Sequence, residues 1–333
     1  MDKNLSFTAS RRQALTYIAG SALALGLPGA ARAQTQSGPI HFIIGSTPGT
    51  GPDTMTRLIQ PQLQQRWSRS VVVENKPGAG GIIGIDTVAK AAPNGNTLML
   101  QTSTLFLLPY FYKDIPFDPL TSFTPISQVA WSTFALVVNE SVPARTLPEL
   151  IAWIKSQGKN VNYASPGAGT ENHLFGELFK QEAGVEIMHV PYRGTANAIQ
   201  DLLGGQVSMM FLPIATANNQ LKSGRVRIIG CTSKERFPLM PQFPSLHEQG
   251  LSNFDFNNWY GVWGPASMPE EMATRYSEGV QSVLALPEIV NSFSQNGWVA
   301  KSSSSQVLAS MGQEQFNTWR KVITDARIDT TAL

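Results

Sequence analysis

The chain has 333 residues, with 25 lysines and arginines against 23 aspartates and glutamates, four histidines and one cysteine. Nearly balanced charge with no basic stripe excludes a nucleic-acid surface, and a lone Cys231 excludes an internal disulfide. The length fits two domains of ordinary size.

The opening stretch SRRQALTYIAGSALALGLPGAARA sets Arg11 and Arg12 before an apolar run from Tyr17 to Leu27 and closes on Ala31-Arg32-Ala33. It is expected to be a twin-arginine export signal cleaved after Ala33, because the run falls short of the roughly 18 residues that cross a bilayer. Removing residues 1–33 takes Lys3, Arg11, Arg12, Arg32 and Asp2, leaving a periplasmic chain of 300 residues with 21 basic and 22 acidic side chains.

From there, short β-rich runs alternate with helical patterns. IHFIIGS precedes a helix from about Asp53 with Pro61 as an expected kink, VVVEN precedes a helix from about Gly80, and TLMLQT follows. Further along, FALVVN leads to LPELIAWIKSQ, VNYAS to ENHLFGELFKQ, IMHVPY to TANAIQDLLGG, VSMMFL to TANNQLKSG, and RIIGCTS closes the series. This alternation predicts an α/β fold with parallel sheets covered by helices. PFDPLTSFTPISQVAWSTFALVVN breaks it with two consecutive β runs, and the loop-rich FPLMPQFPSLHEQGLSNFDFNNWYGVWGPASMPE breaks it again. Two breaks suggest that the chain leaves one lobe near residue 138 and returns near 256, giving a hinge and a cleft. The expected division is 34–138 plus 256–333 against 139–255.

Four glycine-bearing loops each follow a strand and precede a helix, the arrangement that presents backbone N–H groups to an anion. The first, GSTPGTGPDT at 45–54, has no lysine between Ser37 and Asn75, which argues against a nucleotide. Asp53 caps its helix and pairs with Arg57 four residues on. The second, NKPGAGGIIG at 75–84, has glycines at 78, 80 and 84 and misses the GxGxxG spacing by one, so a tight helix–sheet turn explains it better than a dinucleotide. The third is YASPGAGTENH at 163–173, and the fourth lies in VPYRGTANAIQDLLGGQV at 190–207.

Catalytic patterns are weak. His41, His173, His189 and His247 form no metal-ligand spacing, GxSxG is absent, and Cys231 lies in an apolar run that favours a buried, inert thiol. Asp53 and Glu171 are the only acidic residues in the loops. His173, at a helix start beside the third loop, is a candidate for ligand contact, with capping or packing as the alternatives.

Taken in order, PGTGPDTMTR, VVVENKPGAGGIIG, ASPGAGTENH, HVPYRGTANAIQDLLGGQV, LKSGRVRIIGCTS with ERFPLMPQFPSLHEQG, and WYGVWGPASMP resemble the extracytoplasmic solute receptors of the tripartite tricarboxylate transporter (TctC or Bug) family. The resemblance implies a type II periplasmic-binding-protein fold closing on a small carboxylate, with no enzymatic activity, cofactor or metal, and with membrane transporter subunits as partners of a monomer. It also implies a first-lobe grip of Ser46, Thr47, Pro48, Gly49, Thr50 and Gly51 supported by Asp53 and Arg57, with Thr50 as a hydroxyl donor. The second-lobe grip would be Ser165, Gly167, Ala168, Gly169 and Thr170 with Tyr192, Arg193 and Gly194. Asn75, Thr102 and Ser103 join on the rule that open α/β sheets bind ligands beyond their strand ends.

Leu212 stands where many family members carry an acidic residue after a phenylalanine, here Phe211. The ligand is therefore expected to lack an amino group and to present an apolar or aromatic body between polar ends, with Phe106, Trp131, Phe134 and Phe211 as candidate lining, although core packing is the more common fate of aromatics in strands. An exported hydrolase, a cofactor-bearing oxidoreductase and a sensory receptor stay open as alternatives at this point.

Overall fold

The computed structural model describes residues 38–325, 327, 328 and 330, so the expected export signal lies outside the described residues. β1 (Ile40–Ile44) leads to α1 (Gly51–Trp67), β2 (Val71–Asn75) to α2 (Ile82–Ala89), and β3 (Thr97–Thr102) to a 3-10 turn at Ser103–Phe106 and the short α3 (Leu108–Phe111). β4 (Phe123–Asn139) then carries the chain to α4 (Leu147–Gln157), β5 (Asn162–Ser165), α5 (Glu171–Ala183), β6 (Met188–Pro191) and α6 (Thr195–Leu203). After β7 (Met209–Pro213), α7 (Ile214–Leu221) and β8 (Val226–Cys231), the chain returns through β9 (Asn257–Pro265) to α8 (Glu270–Leu284), α9 (Pro287–Gln295), β10 (Val299–Ala300) and α10 (Ser305–Asp325).

The strands follow the order β2-β1-β3-β9-β4-β7-β5-β6, with β8 and β10 also paired to β4. The expected parallel pairing holds among β1, β2 and β3 and among β5, β6 and β7. It fails at the centre, where β9 and β4 run antiparallel to their neighbours. A two-way crossing between lobes requires this, because one strand must go out and another must come back.

The two β runs expected before residue 139 are one strand of 17 residues. Trp131-Ser132-Thr133 looks like a break because it is polar, yet each hydroxyl is satisfied inside the protein. Ser132 Oγ donates to the Gly297 carbonyl at 2.8 Å, and Thr133 Oγ1 lies 3.1 Å from Thr232 Oγ1. Buried hydroxyls with partners cost little, so the strand continues. Its partner changes here instead: β9 pairs up to Thr133↔Asn257, while β7 and β8 pair from Phe134 and Ala135 onward.

Helix α1 is bound to its sheet by Met55, Ile59, Leu63 and Trp67, spaced by four and all 0–2% exposed. Pro61 does not interrupt it, since Pro61 lies on the exposed face, where the carbonyl it leaves unpaired is open to water. One lobe's sheet is packed on both sides, by α1, α8 and α9 around Ile59 and Val280 and by α2 and α10 around Ile85 and Leu308. The other lobe is likewise sandwiched, with Leu150 and Phe179 on one face and Ala198 and Ala217 on the other. α10 serves both lobes, for its Leu308 packs with Trp259 and Trp263 while its Trp319 packs with Phe175 and Phe256.

Candidate functional site

Strand β1 ends against the second glycine loop. A Cβ on Gly84 would lie 2.8 Å from the Gly45 Cα and 3.0 Å from the Lys76 carbonyl, so these glycines let α2 and the end of β1 approach backbone to backbone. This close approach aims residues 45–50 beyond the sheet edge. Thr47, Pro48 and Gly49 are exposed there, while Ser46, Thr50 and Gly51 are half-buried.

The loop is held from beneath by Asp53, which is 3% exposed. Its carboxylate accepts from the Gly49 amide at 2.9 Å and from Arg57 Nε at 3.0 Å. Arg57 continues to Asn75 Oδ1, and Asn75 Nδ2 donates to the Ser46 carbonyl, both at 3.0 Å. Burial alone would raise the Asp53 carboxyl, but the hydrogen bonds from Arg57, the Gly49 amide and Asn75, with the Arg57 charge, outweigh it and hold the pKa below the ordinary carboxylate value. The expected Asp53–Arg57 pair is thus present, and Asn75 completes it.

Thr50 does not offer a free hydroxyl. Its Oγ1 donates to the Thr47 carbonyl at 2.8 Å and lies 2.6 Å from Ser46 Oγ, so both side chains are used within the loop. What the loop can present outward is its main chain at the start of α1, where the first turn of amides has no intrahelical partner.

In the other lobe, the third and fourth loops are stitched together. The Tyr192 amide donates to the Ser165 carbonyl at 2.9 Å and the Gly194 amide to the Pro166 carbonyl at 3.2 Å. Ser165 Oγ donates to the Gly167 carbonyl at 2.9 Å and sits 2.7 Å from His189 Nε2. Thr170 caps α5, with its Oγ1 accepting from the His173 amide at 3.4 Å and donating to the Gly167 carbonyl at 2.8 Å. Ala168 and Gly169 are half-buried between these anchors. His173 is 8% exposed, accepts from the Gly169 amide through Nδ1 at 3.3 Å, and stacks on His189 at 4.2 Å. Burial lowers both imidazoles, His189 to about 4, which favours the neutral form of each as a support for the loop.

Tyr192 OH donates to Asp201 at 2.7 Å, and burial together with that carboxylate raises the phenol to about 12. Arg193, beside it, is exposed and has no hydrogen-bond or ion-pair partner among the described residues.

The lobes touch at Glu171, the first residue of α5. Ser103 Oγ, in the turn after β3, lies 3.2 Å from Glu171 Oε1 and 3.3 Å from Asn258 Oδ1 on β9. Burial pushes the Glu171 carboxyl up to about 7 against the opposing hydrogen bonds of Ser103 and Thr104. Thr102 Oγ1 caps the same turn by accepting from the Thr104 amide at 3.3 Å. Sequence reading singled out Ser103 but missed Thr104 and Asn258 and gave Glu171 no inter-lobe contact. An acidic side chain directly after an N-cap, in loops otherwise poor in charge, was the available signal.

The aromatic candidates disperse. Phe134 and Phe211 are 4% and 0% exposed and join the aromatic core around Phe175, while Leu212 is 0% exposed in the core on the opposite face of β7. Phe106 packs with Trp259 and Trp263 under α10. Trp131 lines a separate groove with Gln128, Asn257, Trp259 and Lys301. Cys231 is buried, with its thiol raised to about 12 by desolvation, which fits an inert core residue. Among the described residues no group of three or more histidine, cysteine or carboxylate side chains is placed to hold a metal, and no helix is long and apolar enough to cross a membrane.

A family model described as tripartite tricarboxylate transporter family receptor matches residues 55–328. The chain belongs to that family. A curated relative of this receptor, the protein in the tcbD-tcbE intergenic region of Pseudomonas sp. strain P51, is 32% identical over 317 residues and covers 94% of both chains. The solved structure of the periplasmic binding protein BugD is 29% identical with a TM-score of 0.74, covering 87% of this chain and 98% of that one. A Rhodopseudomonas palustris protein solved with adipate is 27% identical with a TM-score of 0.77, covering 87% and 97%. MatC from the same organism, solved with bound malate, is 26% identical with a TM-score of 0.73, covering 86% and 99%. The receptor has their two-lobed periplasmic-binding-protein fold.

Proposed function

We propose that this receptor works in the periplasm, capturing a small dicarboxylate, tricarboxylate or aromatic carboxylate without an amino group and delivering it to a membrane transporter of the tripartite tricarboxylate type. It is read as a non-catalytic monomer, exported by the twin-arginine signal of residues 1–33, with lobes expected at 34–138 plus 256–333 and at 139–255, the crossing on β4 falling at Thr133–Phe134, where its strand partners change. One ligand carboxylate would meet the main-chain amides at the start of α1, over Asp53, Arg57 and Asn75. The far end would meet Arg193 and the Ala168 and Thr170 amides, since the Ser165 hydroxyl and the Gly167 and Gly169 amides are engaged within the loop.

The observation that carries this reading is Arg193. An exposed guanidinium with no protein partner, set between Tyr192 and Gly194 on a loop whose backbone is tied to the third glycine loop, is a cation available to a carboxylate. Adipate and malate in the related structures have the matching chemistry, two carboxylates at separated ends. Leu212, buried and apolar, supplies no anion for an ammonium group. Closure would expel water and strengthen each charge-assisted hydrogen bond, and the closed form would be what a transporter recognises.

Calorimetric titration with adipate, malate, citrate, an aromatic dicarboxylate, aspartate and glutamate tests the reading. A diacid is expected to bind, and Arg193→Ala to weaken it about tenfold or more, the loss of one charge-assisted pair. Binding of aspartate or glutamate in preference to every amine-free acid would overturn the ligand class.

A further inference from the structure

We propose that Glu171 is the positioning residue for closure: as a neutral carboxylic acid it ties the start of α5 to the turn after β3, and its ionisation lets the lobes part. The proposal rests on the receptor reading only in taking closure as the functional step.

Three observations carry it. The contact spans 68 residues of sequence and joins the turn after β3 in one lobe to the first residue of α5 in the other. Apart from Asp53, Glu171 is the only carboxylate among the described residues that is buried, at 7% exposure, and unlike Asp53 it has no cation beside it. A carboxylate enclosed with hydroxyls alone is expensive to keep charged. The hydrogens also have to be counted. Ser103 Oγ carries one hydrogen but has two acceptors, Glu171 Oε1 at 3.2 Å and Asn258 Oδ1 at 3.3 Å. With the Asn258 amide presenting Oδ1 to Ser103, a protonated Glu171 donates to Ser103, Ser103 donates to Asn258, and the chain of bonds from α5 to β9 is complete.

The groups facing the carboxyl add no positive charge. Ser103 and Thr104 come from the turn after β3, and Asn258 and Tyr260 from β9, where burial holds the Tyr260 phenol neutral. On α5, His173 is engaged with Gly169 and Glu177 with Tyr163 and Lys180. The α5 N-terminus favours the anion, but the carboxyl still sits near 7, so burial wins. His189, pushed down to about 4, does not titrate in this range, and burial also shifts His173 below its ordinary value.

The test uses the full chain without ligand. Small-angle X-ray scattering from pH 5.5 to 8.5 reads the ratio of closed to open molecules for the wild type, Glu171→Gln and Glu171→Ala. In the wild type this ratio is expected to fall by up to about tenfold per pH unit above 7. Glu171→Gln, whose amide still donates to Ser103, is expected to stay compact throughout, and Glu171→Ala to be open throughout. A wild type insensitive to pH, a Glu171→Gln curve matching that of the wild type, or a Glu171→Gln protein open at every pH would each overturn the proposal. Should Glu171→Ala fail to fold, the Glu171→Gln curve decides alone. Failure of adipate and malate to bind would count against the receptor reading and leave the scattering result standing.

Discussion

At Asp53, one buried carboxylate organises the loop that precedes α1. It fixes the Gly49 amide and, through Arg57 and Asn75, the Ser46 carbonyl. Folding lowers its pKa, so its contribution to stability is present above the ordinary value of 3.8 and is lost as pH falls through the folded value. Asp53→Asn is therefore expected to cost about 1–2 kcal/mol at pH 7, from weakened charge-assisted bonds, with the gap narrowing as pH falls below 3.8 in denaturant titrations. A gap that does not narrow as the carboxyl is protonated would mean that shape, not charge, holds the loop. The i,i+4 spacing made Asp53–Arg57 readable from sequence alone. The Asn75 contact, 18 residues from Arg57, and the Ser103–Glu171 contact were not, because no local periodicity reports which strand ends meet in space.

Among the elements, α2 shows how the glycines of 75–84 work. Gly84 faces Gly45 so closely that a methyl group has no room, and Gly84→Ala is expected to destabilise the protein by about 1–3 kcal/mol, with the 45–51 loop displaced and ligand affinity reduced together. Val290→Ala, at 42% exposure on α9, serves as the comparison and should stay within about 0.5 kcal/mol. Melting curves and titrations of the two variants check both. Most elements were legible because apolar runs such as IHFII and FALVVN are bounded by Gly, Pro, Asn and Ser. Strand β4 was not, since its polar centre imitates a turn until the partners of Ser132 and Thr133 are known. The antiparallel centre of the sheet was hidden for a related reason: alternation of strand and helix sets the fold class but not the direction of the strands that connect lobes.

For the whole molecule, the sheet order and α10 tie the lobes into one cooperative body. Circular dichroism and tryptophan fluorescence are expected to report a single coincident unfolding transition. A bound acid at 100 times its dissociation constant should add about 2.7 kcal/mol and raise the melting temperature, without separating the transition into two. Two resolved transitions, with only one responding to ligand, would show that the lobes unfold independently.

That cooperativity has a practical corollary in strand β4. Because one continuous stretch of backbone is paired into the sheets of both lobes, severing the chain at its middle would loosen both ladders at once, and neither piece would keep a finished core. Fragments cut there should be insoluble alone yet able to reassemble when refolded as a mixture, whereas a cut at the exposed 158–160 turn should leave a nicked but intact protein.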